Sequence, residues 1–265
     1  MKSINTIIFV FVSFFLVSCN NLFDFSPYAA DVDDALKNQT KINLNNLSGV
    51  QTKSSELFSF VTIADSHYKF KELRKAVEKI NTIDDIDFVV HLGDMTDKGL
   101  MMEYEMFSKE IYYSSIPVFT CIGNHDYLSN GGSIYKQMFG AYNYTIEHKG
   151  IKMVFFDATV WESGKTPDMS WFEKELSSCD LPKIVFSHIP PWDDQYSDTN
   201  KNKYKDLIDT ENVIISMHGH HHEFSDANPM NTETTFLIPG SIDNRNICKM
   251  TINADNTFIY EIIPF

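Results

Sequence analysis

An α/β domain with a mostly parallel core is the fold class that this chain predicts, on three observations. Short apolar runs alternate along the chain with stretches in which apolar residues recur every three or four positions, the periods of buried strands and of one helix face. The 265 residues are 43% hydrophobic, enough to bury a sizeable core in one domain. Several apolar runs end directly in Asp, Asn or His, which would bring polar groups far apart in sequence to one rim of a sheet.

Residues 1–18 differ from the rest. Lys2 is followed by an almost unbroken apolar run, Ile7 to Val17, closed by Leu16-Val17-Ser18-Cys19. The run is shorter than the roughly 20 apolar residues a spanning helix needs, so it reads as an export signal. Its end resembles a bacterial lipobox, which would make Cys19 the acylated first residue. An ordinary signal peptide cleaved nearby would instead leave Cys19 incidental. Residues 19–55, rich in Asn, Asp, Ser and Lys, read as a tether, and residues 56–265 as the domain.

The alternation starts with a strand from Leu57 to Ala64 and a helix from Phe70 to Ile80, where Phe70, Leu73, Val77 and Ile80 share one face. A strand from Phe88 to Leu92, a helix from Met102 to Tyr112 and a strand from Val118 to Ile122 follow. The second half has strands near Asn143–Glu147, Lys152–Phe156, Lys183–Phe186 and Val213–Met217. A helix starts at about Trp171, with Ser170 and Glu173 as its capping box. Strands at Thr235–Ile238, Cys248–Ile252 and Phe258–Ile263 close the chain.

The net charge of −14 becomes −15 without Lys2, the one charged residue of the signal. No basic patch is left for nucleic acid, so an anion would have to be attracted locally. Beyond Cys19 three cysteines remain, an odd number, so at least one stays unpaired unless chains are bridged. Cys121 sits in an apolar run and reads as a small buried hydrophobe.

Five pieces carry the chemistry: Asp65-Ser66-His67, Gly93-Asp94-Met95-Thr96-Asp97, Gly123-Asn124-His125-Asp126, His188, and Gly219-His220-His221-His222. Asp65 and His67 alternate in an extended segment and can face one ion. Gly93 allows a sharp backbone turn where a strand meets the site. Carboxylate, amide and imidazole groups converging on one rim are the makings of a two-metal hydrolytic site. A loop aspartate or a lone histidine is more often structural, and both His218-Gly219-His220 and His220-His221-His222 present alternating imidazoles.

The set and its order resemble the calcineurin-like metallophosphoesterases over residues 57–265, with the bacterial cyclic-nucleotide phosphodiesterase relatives nearer than the protein phosphatases. That resemblance implies a four-layer αββα sandwich of two mixed sheets. It assigns Asp65, His67, Asp94 and His222 to one metal, and Asp94, Asn124, His188 and His220 to a second, with Asp94 bridging. Gly-His-x-His selects His220 and His222 over His218. His125 would be the general acid, oriented by Asp97, with Asp126 as an alternative partner. His91 would be packed in the core, and Lys98 solvated or in contact with phosphate. Nitrogen and oxygen ligands without thiolate suit two divalent ions of Mn, Fe or Zn.

The expected enzyme is an exported, membrane-anchored lipoprotein on the periplasmic or cell-surface side, a monomer attached through lipid on Cys19. It would hydrolyse a small extracytoplasmic phosphoester by metal-bound hydroxide attack. A lipoprotein that uses the same fold only for binding is the competing class.

Overall fold

The computed structural model describes residues 26, 28–49 and 58–265; the signal segment and Cys19 lie outside the described residues. The first element departs from the tether expected there. Helix α1, Gln39–Leu47, packs on the domain, burying Leu47 in the core while the Asn43 side chain donates 2.8 Å to the Val118 carbonyl. Val32, ahead of it, is buried too. A few well-placed apolar residues suffice to dock a segment whose overall composition is polar.

Strands β1 (Phe58–Ile63), β2 (Phe88–His91) and β3 (Val118–Thr120) are parallel neighbours, linked by helices α2 (Phe70–Ile80) and α3 (Met101–Ile111). Helix α4, Gly131–Met138, follows β3 and was not expected from the sequence pattern. The second sheet holds β4 (Tyr144–His148), β5 (Ile151–Phe155), β6 (Lys183–Ser187), β7 (Val213–His218) and β8 (Thr235–Leu237), adjacent in that order. Only β4 runs antiparallel there. Strands β9 (Asn246–Ile252) and β10 (Phe258–Pro264) return to the first sheet, whose order is β10-β9-β1-β2-β3, with β9 antiparallel to both neighbours.

The two sheets pack face to face. Phe60, Phe88 and Phe119 of the first meet Phe155, Ile184 and Phe186 of the second in one core, with the Phe60 and Phe186 rings edge-on at 5.6 Å. Alternate residues of the same strands point outward: Val61 and Val89 pack under α2 and α3, and Val185 under helices α5 (Met169–Leu176) and α6 (Asp198–Thr210). Helix, sheet, sheet, helix is the expected four-layer sandwich of mixed sheets. Strands covered on both faces explain why the runs are largely apolar.

Helix α5 starts earlier than the capping-box spacing implied. Asp168 is its N-cap and accepts from the Trp171 amide at 3.0 Å, which places Ser170 inside the first turn. Helix α6 was also missed, since its mostly polar sequence buries only Tyr204, Leu207 and Ile208. Cys121, Cys179 and Cys248 are all free, and burial pushes the Cys121 thiol well above its ordinary value. No described helix is long and apolar enough to cross a membrane.

Candidate metal centre

The loops after β1, β2, β3, β6 and β7 meet at one rim, where the parallel strands of both sheets end. Backbone hydrogen bonds lace these loops together. Asp65 N donates to Gly93 O at 3.1 Å, His67 N to Asp94 O at 2.9 Å, and Gly219 N to His188 O at 3.1 Å. The fit leaves no room at the glycines. A Cβ on Gly93, whose φ is +98°, would stand 2.6 Å from His188 Nδ1, and one on Gly123 would overlap the Asp94 amide and carboxylate. Asp65, His67, Asp94 and His220 themselves adopt left-handed φ between +43° and +67°, a conformation that costs non-glycine residues energy and gathers at functional sites.

Four groups of candidate ligand atoms result among the described residues, each with its members within 4.8 Å of one another, and two of them match the expected ligand sets: Asp65, His67 and His222 in the first, Asp94, His188 and His220 in the second. The other two, His67 with Asp97 and His125, and Asp193 with His220 and His221, share a histidine with these. The Asn124 side-chain oxygen joins the second, 3.1 Å from His188 Nε2 and 3.2 Å from His220 Nδ1. Asp94 stands between them, its Oδ2 lying 3.8 Å from His67 Nε2 and 3.3 Å from His188 Nε2. Its Oδ1 accepts from the His125 amide at 2.9 Å. A single carboxylate oxygen therefore faces both groups, not one oxygen toward each.

His218 is placed apart from both groups. It is fully buried, with Nε2 2.8 Å from Ser216 Oγ, Nδ1 3.2 Å from the Ser187 carbonyl, and its ring stacked on Phe236. His91 is also buried, 3.0 Å from Ser66 Oγ and edge-on to Phe107. Burial pushes both imidazoles down to about 3.

The first group fits a cation on its own evidence. Asp65 Oδ2 and both ring nitrogens of His67 are buried without any hydrogen-bond partner. Such atoms each cost about 1–3 kcal/mol unless something satisfies them, and one divalent ion could bind all three residues of the group. Charge tells the same story. Burial pushes the Asp65 carboxyl up to about 7, against the pull of His188 and with the repulsion of Asp94. Burial works against ionised Asp94 as well, yet His188, His125 and His67 hold it below the usual carboxylate range. His188 is the counterpart: burial opposes its proton, but Asp94 and Asp65 raise it to about 10. Asp94 and Asp65 thus face a buried imidazole whose positive form they stabilise.

His125 projects beside the groups, its ring 4.7 Å from that of His67. The expected orienting partner is present with a different atom. His125 Nδ1 donates to the backbone carbonyl of Asp97 at 2.9 Å, while the Asp97 carboxylate stays 3.8 Å from both His125 Nδ1 and His67 Nδ1. Asp126 does not approach His125's ring; it accepts from the amides of Met95, Thr96 and Gly123 and from the Thr96 hydroxyl, bracing two site loops. Lys98 is exposed and paired with Asp97 at 3.2 Å.

Residues 58–224 match the family model for calcineurin-like phosphoesterases, well over half of the chain. The chain belongs to that family. Among curated proteins it is similar to a probable glycerophosphodiester phosphodiesterase of Arcobacter nitrofigilis, 26% identical over 52% of this chain and 58% of the relative. It is also similar to a probable cyclic nucleotide phosphodiesterase of Fibrobacter succinogenes, 27% identical over 40% of this chain and 43% of the relative. The alignments thus span about half the length of these relatives. Among solved structures, a Plasmodium protein described as the anchor in the inner membrane complex superposes with a TM-score of 0.56, at 12% identity, over 79% of this chain and 85% of that one. A Thermus thermophilus protein does so at 0.52 and 14% identity, over 78% and 99%. These two show the fold alone.

Two acids of this calcineurin-like domain escaped the sequence pattern. Glu162 Oε1 accepts from Asn124 Nδ2 at 3.1 Å, which turns the amide oxygen toward the second group. Asp193 Oδ2 lies 3.4 Å from His220 Nε2 and 3.6 Å from His221 Nε2. Neither trails an apolar run at the spacing of the other motifs, and each finds its partner only through the fold. Pro190-Pro191-Trp192 directly before Asp193 was the one local hint of a built turn.

Proposed function

We propose that this chain is a phosphoester hydrolase that works with two divalent ions and takes phosphodiesters, at an extracytoplasmic location. The observation that carries the reading is the placement of Asp94 Oδ2 between two ligand groups whose inner members Asp65, Asp94 and His188 are buried, with the non-ligand His125 at their side. Asp65, His67, Asp94 and His222 would hold one ion, and Asp94, Asn124, His188 and His220 the other. Ions bound there would act as Lewis acids toward a phosphoryl oxygen and make water a nucleophile near neutral pH.

The protein's own groups do the rest. With its Nδ1–H committed to the Asp97 carbonyl, His125 has Nε2 free to present a proton to the departing alkoxide. The hydrogen bond from its backbone N–H to Asp94 Oδ1 fixes the distance between that proton donor and the ligand groups. Burial of Asp65, Asp94 and His188 keeps bulk water from screening the centre.

A diester is favoured over a monoester on two grounds. Both curated relatives are named as phosphodiesterases. Among the described residues, moreover, three cations that could clamp a dianion have acidic partners: the two arginines pair with Glu110 and Glu72, and Lys98 with Asp97. A lipid on Cys19 would hold the enzyme at a membrane surface outside the cytoplasm. Turnover of bis-p-nitrophenyl phosphate and of p-nitrophenyl phosphate, before and after chelation and re-addition of Mn, Fe or Zn, tests the proposal. Diester turnover that vanishes on chelation and returns with metal is expected; loss of neither ester by a metal-loaded protein would overturn it.

A further inference from the structure

We propose that Asp193 is a positioning residue that holds the proton of His220 on Nε2, so that Nδ1 carries its lone pair toward Asp94 and Asn124. The inference rests on the second metal position proposed above and adds a residue that none of the motifs contains.

A neutral imidazole carries one proton on either of two nitrogens, and only the bare nitrogen can bind a metal. The two nitrogens of His220 face different acceptors. Nδ1 is 3.2 Å from the Asn124 side-chain oxygen, and Nε2 is 3.4 Å from Asp193 Oδ2. A carboxylate is the stronger acceptor of the two, so the proton goes to Nε2. Nδ1 and the Asn124 oxygen then confront each other with lone pairs, which is the arrangement of two ligands around a common cation.

His188 shows the same logic with the nitrogens exchanged. Its Nδ1 donates to the Leu92 carbonyl at 2.7 Å, and Nε2 is the nitrogen that faces the Asn124 oxygen, at 3.1 Å. Both histidines thus have an outward acceptor, one a carbonyl and the other a carboxylate. Metal-bound histidines generally have such a partner on the far nitrogen, and it sets both tautomer and basicity.

Asp193 is itself held for this task. Its Oδ1 accepts from the Gln195 amide at 3.0 Å, and its backbone is pinned by Asp193 N to Pro190 O and Tyr196 N to Asp193 O, each at 3.0 Å. Only Oδ2 is left to face the histidines, and the side chain is 14% exposed, so water competes weakly. Gln195 also accepts from the Val160 and Trp161 amides through its side-chain oxygen, next to the Glu162 that orients Asn124. One small network therefore aims two neighbouring ligands. His221, 3.6 Å from the same carboxylate oxygen, is exposed and a weaker second donor.

The test uses the full chain solubilised in detergent and two readouts that do not need turnover. In the chelated protein, nitrogen-15 NMR of the imidazoles should show His220 protonated on Nε2, and Asp193→Ala should shift it toward a tautomer mixture. Chelator-competition titration with Zn should show one of two ions bound about 10- to 100-fold more weakly in Asp193→Ala. Asp193→Asn, which keeps an acceptor oxygen but loses the charge, should restore part of that loss, and His221→Ala should leave both affinities unchanged. Wild-type tautomer and affinities in Asp193→Ala would overturn the proposal. So would loss of a bound ion in His221→Ala, which would make Asp193, His220 and His221 a metal site of their own. Because tautomer and affinity are read directly, a protein that fails to turn over phosphodiesters would sink the proposed function without touching this one.

Discussion

The histidine tract allows the sharpest trial of the metal assignment, because moving one residue changes the physics completely. His218→Ala should cost stability and leave both ions bound. The ring it removes is fully buried, stacked on Phe236, and bonded to Ser216 Oγ and the Ser187 carbonyl. Ser216 Oγ keeps the Tyr204 hydroxyl at 2.7 Å, so one orphaned carbonyl and a ring-sized void remain. Together these are worth about 2–4 kcal/mol. In a domain of this size that lowers the melting temperature by roughly 10 °C. His220→Ala and His222→Ala should do the opposite: each removes a side chain that is only partly buried or exposed, costs little folding stability without metal, and strips one ion. Thermal unfolding of the chelated variants and metal content of the loaded ones separate the two behaviours. If His218→Ala folds but loses an ion while His222→Ala keeps two, the pair must be His218 and His220, and the proposed centre is wrong.

Other consequences are as direct. His125→Ala should keep both metals but lose about 10² to 10⁴ of the rate on an alkyl phosphodiester, and much less on a p-nitrophenyl ester whose leaving group needs no proton; equal loss on both would refute the acid role. Gly123→Ala, whose methyl would overlap the Asp94 amide and carboxylate, should fold yet bind metal poorly, as elemental analysis would show. Metal affinity should climb with pH: burial pushes Asp65 up to about 7, and Asp94 and Asp65 hold a proton on His188 up to about 10, so both must release protons to become ligands. The climb should be about tenfold per pH unit for each proton displaced, steepest below pH 7, where Asp65 is protonated; a flat profile between pH 5 and 8 would contradict the buried charge balance. Cys19→Ala should release the protein from membranes, and a wild type found wholly in the soluble fraction would end the lipoprotein reading.

The strands and the rim were legible in the sequence for one physical reason. A strand buried on both faces must be largely apolar, as in Phe58–Ile63, where only Ser59 and Thr62 interrupt the run, so the first Asp, Asn or His after it marks where the sheet ends and solvent or a site begins. Helices that bury a narrow stripe leave a weaker trace: α2 was plain because Leu73, Ala76, Val77 and Ile80 line one face, whereas α1 buries Leu47 alone and α6 three residues of thirteen. Groups that act at a distance left no trace at all. Glu162 and Asp193 meet Asn124 and His220 across 38 and 27 positions of chain, so only packing reveals them. Nor does the sequence show that Asp65, His67, Asp94 and His220 sit at left-handed φ, since Asp and His take that conformation more often than most residues yet only in a small minority of positions. That strain has a local cause. The loops after β1 and β2 bond to each other through Asp65 N, Gly93 O, His67 N and Asp94 O, which forces the backbone to curl tightly enough to bring both carboxylates inward. A cation that neutralises the carboxylates and binds Asp65 and His67 would add to the hydrogen bonds that join these loops, so removing metal should loosen the β1 and β2 loops before any other part of the fold, as hydrogen exchange would show.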